Sequence, residues 1–106
     1  MVRISLFTIL LDNNVGGIIM TSNQISIFLA MTENLSFSKT AEEFYITQPT
    51  VSRQISMLEE EWGIRLFERN KRHVSITKAG QLMAEICKEN RKKLDSGLNR
   101  ARKYKK

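Results

Sequence analysis

Thr47, Gln48, Pro49, Thr50, Ser52, Arg53 and Ser56 fall within ten residues, interleaved with Val51 and Ile55. If Val51, Ile55, Leu58 and Trp62 form one face of a helix, steps of about 100° per residue put Pro49, Ser52, Arg53 and Ser56 on the opposite face. That face is small or donor-bearing, as close approach to base edges in a major groove requires. The Gln48 amide can pair with adenine N6 and N7, and the Arg53 fork with guanine O6 and N7. Thr47, Thr50, Ser52 and the free N–H groups of the first turn are suited to phosphate oxygens. A second cluster, Arg69, Lys71 and Arg72, surrounds Asn70 and offers cations to a phosphate backbone or a narrow minor groove.

Catalytic chemistry is poorly supplied. The sequence has no Gly-rich phosphate loop, no metal-ligand set and no nucleophile–base pair, so an enzyme is the weakest reading and no cofactor is expected. His73 has no cysteine, second histidine or clustered carboxylate beside it and reads as a neighbour of the basic cluster, not as a metal ligand. Cys87 is the only cysteine. It excludes an internal disulfide and reads as an inert, partly buried thiol.

The elements that must position these side chains are legible from caps and periodicity. Thr21 or Ser22 caps a first helix with Ile25, Phe28, Leu29 and Thr32 as its buried stripe, closed by Asn34-Leu35. Ser36 caps a short second helix from Phe37 to about Tyr45, burying Phe37, Ala41 and Phe44. Thr47 caps the third, with Pro49 in the first turn where its missing N–H costs nothing, and Gly63 stops it after Trp62. Two short helices and a tight turn form the helix-turn-helix plan. Leu66–Arg69 and His73–Ile76 read as strands of a hairpin turning through Asn70-Lys71-Arg72, the plan of a wing. Thr77 caps a long helix from Lys78, along which Ala79, Leu82, Met83, Ile86, Asn90, Leu94, Leu98 and Ala101 form a seam. The expected fold is therefore mainly α: a winged helix-turn-helix of three helices and a β-hairpin, followed by a long helix.

Bulk composition narrows the partner. The 106 residues carry a net charge of +6, enough for one small domain with an arm or tail. The charge is polarised. Residues 20–63 hold Lys39 and Arg53 against six glutamates, a net −4, while residues 64–106 hold fourteen Lys and Arg against four acids, a net +10. A basic half of this kind invites an anionic partner. Glu59, Glu60 and Glu61 would repel phosphates but fall at the far end of the third helix.

Residues 1–19 stand apart. The apolar run Ile4–Leu11 is too short for a membrane span and lacks a small-residue cleavage site, so neither an anchor nor a signal peptide is expected. Val15-Gly16-Gly17 before Met20 can be encoded by a purine-rich, ribosome-binding-like stretch. The expectation is a leader over 1–19, a DNA-binding domain over 20–77 and a pairing helix with a basic tail over 78–106. Mass spectrometry of the native product decides the start: an N-terminus at Met1 contradicts the leader.

Several ordered motifs then coincide. Ser36-Phe37-Ser38-Lys39-Thr40-Ala41-Glu42, Gln48-Pro49-Thr50-Val51-Ser52-Arg53-Gln54-Ile55, Leu58-Glu59-Glu60-Glu61, Leu66-Phe67-Glu68-Arg69 and Thr77-Lys78-Ala79-Gly80 resemble the N-terminal domain of LysR-type transcriptional regulators, from about Met20 to Leu98. The resemblance implies a winged helix-turn-helix that binds double-stranded DNA in the bacterial cytoplasm. It implies DNA contacts at Gln48, Pro49, Ser52 and Arg53, and wing contacts near Arg69 and Arg72. Ser36 and Ser38, at the start of the second helix, are counted with the phosphate contacts. It also implies homodimers through the long helix, for which Leu82, Met83, Ile86, Asn90 and Leu94 are the candidate residues, reading an inverted repeat. The seam is thin beyond Ile86, so pairing is expected to be weak. Such regulators carry a C-terminal effector-binding domain; without it, no small-molecule effector is expected for these residues. Two rival readings are a basic RNA-binding or structural protein, and an interaction module that pairs with a full-length regulator through the long helix.

Overall fold

The structure is a computed structural model and describes residues 22–105. The 1–19 leader expectation lies outside the described residues. Four α-helices and one hairpin follow in order: α1 (Ser22–Asn34), α2 (Phe37–Phe44), α3 (Gln48–Trp62), β1 (Phe67–Arg69), β2 (Val74–Ile76) and α4 (Lys78–Ala101), with a final 3-10 turn at Arg102–Tyr104. This is the winged helix-turn-helix with a long trailing helix that the sequence predicts.

The caps are where the residue types put them. Ser36 Oγ accepts from Lys39 N at 3.1 Å, Thr47 Oγ1 from Thr50 N at 3.2 Å and Thr77 Oγ1 from Gly80 N at 2.8 Å, each satisfying a first-turn donor that has no partner inside the helix. Gly63 ends α3 at φ 70°, a conformation that costs glycine nothing. β1 and β2 pair antiparallel with Phe67 opposite Ile76 and Arg69 opposite Val74.

The core forms where α1, α2, α3 and the root of the wing meet. Ile27, Phe28, Met31, Val51, Ile55, Leu58, Leu66 and Phe67 are its most buried apolar members. Phe28 lies edge-on to Trp62 and Phe67, with ring centroids 5.9 Å away in both cases. The stripe expected on α1 needs correction. Ile27, Phe28, Leu29, Met31 and Gln24 are buried, whereas Ile25 and Thr32 are only partly so. The reason is packing on several sides: α1 contacts α2, α3 and α4, so its buried arc is wider than one stripe. Phe37 and Phe44, expected in the core, are partly buried and pack against its edge.

On α4 the residues turned inward are Gly80, Ala84 and Cys87, with Met83 beside them. From Lys88 to Lys105 every residue is exposed. A helix of this length extends about 36 Å, which accounts for the long 53 Å axis of the molecule.

The turn between α2 and α3 holds a local conflict. Tyr45 has φ 57° and is 94% exposed. Its N–H donates to Glu42 O at 3.2 Å, and Ile46 N to Ala41 O at 3.0 Å, a Schellman closure of α2 that favours Gly or Asn at this position. An exposed aromatic with positive φ carries the steric cost without compensating burial. Tyr45→Asn is therefore expected to stabilise the domain by about 0.5 kcal/mol, raising the melting temperature by about 2–4 °C in a calorimetric scan. A lower melting temperature would show that the ring contributes to stability.

Candidate nucleic-acid interface

The N-terminus of α3, the start of α2 and the wing converge on one side of the domain. Ser36, Phe37, Ser38, Gln48, Arg69, Lys71, Arg72 and His73 line a single open cleft of about 460 Å³. Of the residues predicted to meet nucleic acid, the fold brings together Ser36, Ser38, Gln48, Arg69, Lys71 and Arg72 there. Thr47, Pro49, Thr50, Ser52, Arg53 and Ser56 are not in its lining and run along α3. Pro49, Arg53 and Ser56 are exposed, while Thr50 and Ser52 are half-buried.

Several of these side chains already have intramolecular work. Thr47 Oγ1 and Thr50 Oγ1 lie 2.8 Å apart, and Ser36 Oγ lies 3.3 Å from Ser38 Oγ. Each hydroxyl pair can still direct one O–H outward. At the wing tip, Asn70 Oδ1 accepts from Arg72 N at 2.7 Å and His73 N at 3.0 Å, which shapes the turn and leaves the Lys71 and Arg72 side chains exposed. Arg69 reaches back from the end of β1. Its Cζ lies 4.4 Å from the Phe37 ring centroid, and its Nη2 donates to Ser52 Oγ at 3.4 Å.

Two positioning features had no signal along the chain. Glu59 Oε2 accepts from Leu66 N at 2.8 Å and Phe67 N at 3.4 Å, fastening the end of α3 to the start of the wing. It also lies 3.9 Å from Arg65 Nε, a long contact to an exposed side chain to which little stability is credited. Gln24, buried at the start of α1, donates through Nε2 to Gln54 Oε1 at 2.8 Å and so ties α1 to α3. Both links join residues 30 or fewer positions apart with no local pattern between them. Among the described residues no group of three His, Cys, Asp or Glu could hold a metal ion.

A second, apolar groove of about 260 Å³ runs between α4, the start of α1 and the end of α3. Ile25, Trp62, Met83, Ile86, Asn90 and Leu94 are in its lining. Four of the five candidate pairing residues are therefore together, while Leu82 lies outside the lining and is 58% exposed. Burial pushes the Cys87 thiol up from its ordinary value, and the Arg91 cation offsets part of that rise. A raised thiol disfavours the thiolate, which is the reactive form.

Residues 22–81 match the family of bacterial regulatory helix-turn-helix proteins, lysR family. The chain belongs to the LysR family. It is 36% identical over 84 residues to the HTH-type transcriptional regulator AlsR of Bacillus subtilis (strain 168), covering 79% of this chain and 28% of AlsR. The LysR fold is matched by BenM_DBD in its crystal structure with benA site 1 DNA, at 34% identity and a TM-score of 0.72, over 79% of this chain and 94% of that one. The crystal structure of the CbnR_DBD–DNA complex aligns at 28% identity and a TM-score of 0.73, over 78% of this chain and 95% of that one. This LysR chain spans little more than a quarter of the length of AlsR. No helix among the described residues is long and apolar enough to cross a membrane.

Proposed function

We propose that this LysR-family chain binds double-stranded DNA sequence-specifically as a transcriptional regulator in the bacterial cytoplasm and catalyses no reaction. α3 enters the major groove, with Gln48, Arg53 and Ser56 toward base edges and Ser52 toward a base edge or a phosphate. Thr47, Pro49 and Thr50 lie at its entry, and Ser36 and Ser38 meet a flanking phosphate. Arg69, Lys71 and Arg72 of the wing lie against the backbone or reach the adjacent minor groove. The observation that carries this reading is the convergence of the α3 N-terminus, the α2 start and three wing cations on one cleft. A lone basic tail would bring no such set of donors together. The DNA named in the BenM_DBD and CbnR_DBD complexes supports the same reading.

Two copies pair through α4, with Leu82, Met83, Ile86, Asn90 and Leu94 at the seam, and so read two half-sites of an inverted repeat. Leu82, Ile86, Leu94 and Leu98 are exposed in the single chain, an apolar stripe that pairing would cover. Residues 20–77 act as the reading domain and 78–106 as the pairing helix with its basic tail. No cofactor takes part.

Selection of bound duplexes from a random pool tests the proposal and reports the half-site and its spacing. Enrichment of an inverted repeat is expected. Failure to enrich any sequence, or preference for RNA over duplex DNA in competition, overturns it. Within the same assay, Arg72→Ala is expected to weaken all duplexes alike and reduce the salt slope by about 1. Its exposed side chain sits at the wing tip and suits a phosphate. A loss confined to one sequence would place Arg72 on a base instead.

A further inference from the structure

We infer that Phe37 is a positioning residue for DNA recognition: its ring holds the Arg69 guanidinium between the wing and α3. The inference rests on the DNA-binding reading above. Arg69 belongs to the wing, yet its side chain contacts two other elements, with Cζ 4.4 Å from the Phe37 ring centroid and Nη2 3.4 Å from Ser52 Oγ. Phe37 is the first residue of α2, directly after the capping Ser36, and it packs partly against the core. The platform is therefore part of a helix anchored by its cap and by packing.

Three physical consequences follow. An unsupported arginine samples many rotamers and loses that freedom on meeting a phosphate, whereas a guanidinium already resting on a ring has lost part of it beforehand. A cation over an aromatic face is also attracted by the ring's quadrupole, while in-plane N–H donors remain available to the cleft that Arg69 lines with Ser36, Ser38 and Gln48. Finally, Ser52 Oγ accepts from Arg69, so its own O–H is left to donate. That biases Ser52 toward an acceptor, either on a base edge or on a phosphate. The Ser52 contact is long, and the ring contact is the stronger tether.

The core reading of Phe37 and the positioning reading separate by coupling. Fluorescence anisotropy on a duplex selected by the native chain would compare Phe37→Leu, Phe37→Tyr, Arg69→Ala and the Phe37→Leu/Arg69→Ala pair. Phe37→Leu is expected to weaken binding about three- to ten-fold. Phe37→Tyr, which keeps the ring, should stay within about two-fold of native. In the Arg69→Ala background, Phe37→Leu should cost nothing further. An equal loss from Phe37→Leu with and without Arg69 overturns the inference, as does native binding by Phe37→Leu. If Phe37→Leu does not fold, a Phe37→Tyr loss as large as that of Arg69→Ala overturns it too. Failure of the native chain to bind any duplex removes the DNA reading and this inference together, which distinguishes the two failures.

Discussion

Gly80→Ala is expected to destabilise the domain by about 2–3 kcal/mol and lower its melting temperature by roughly 10–20 °C. The sign is opposite to the ordinary one. In a helix interior, alanine replaces glycine with a gain of about 0.5–1 kcal/mol, because the glycine backbone loses more freedom on folding. Here a Cβ would overlap Leu66 O and lie 2.8 Å from Ile76 Cγ1. Leu66 O cannot easily retreat, since it accepts from Thr77 N at 3.0 Å and from Thr77 Oγ1 at 3.2 Å. The absent side chain thus lets α4 start directly against the root of the wing. Gly97 is the internal control: nothing lies within 4 Å of its added Cβ. Gly97→Ala should therefore show the ordinary gain. Paired thermal scans check both, and a Gly80→Ala domain as stable as native would mean that α4 and the wing separate without cost.

Arg53→Ala is expected to weaken binding to a selected duplex by about 1–3 kcal/mol, equivalent to roughly 5- to 150-fold, while leaving the melting temperature nearly unchanged. Arg53 is exposed on the face of α3 opposite the buried Val51, Ile55 and Leu58. It makes no hydrogen bond or ion pair among the described residues, so its removal leaves no intramolecular partner unsatisfied. A guanidinium that reads guanine O6 and N7 with two parallel bonds loses both on truncation, and sequence preference relaxes at that base pair. Arg53→Lys keeps the charge but not the fork, so it should recover non-specific affinity and little discrimination. Titrations against selected and random duplexes separate these cases. Equal losses on both would assign Arg53 to the phosphate backbone.

These two residues also show what kinds of information a sequence carries. Arg53 was legible as a candidate because helical periodicity relates it to Val51, Ile55 and Leu58 over a few residues. Gly80 was legible only as part of a family-like motif. Nothing local says that a backbone oxygen fourteen positions earlier occupies the space where its Cβ would stand. Glu59 illustrates the same limit from the other side. In the sequence it is one of three glutamates that would repel phosphates at the far end of a helix, whereas in the fold its carboxylate caps the N–H groups of Leu66 and Phe67.

By itself the sequence determined the helix starts at Ser36, Thr47 and Thr77, the stop at Gly63, the hairpin and the division of charge. Each rests on interactions within a few residues or on simple counting. The tertiary structure alone decided which side of α4 faces inward, how wide an arc of α1 is buried, and that Arg69 lies on Phe37 beside Ser52. Those outcomes depend on how separate elements pack. Packing joins residues through space, and hydrophobic period or cap chemistry along one segment does not specify its partner.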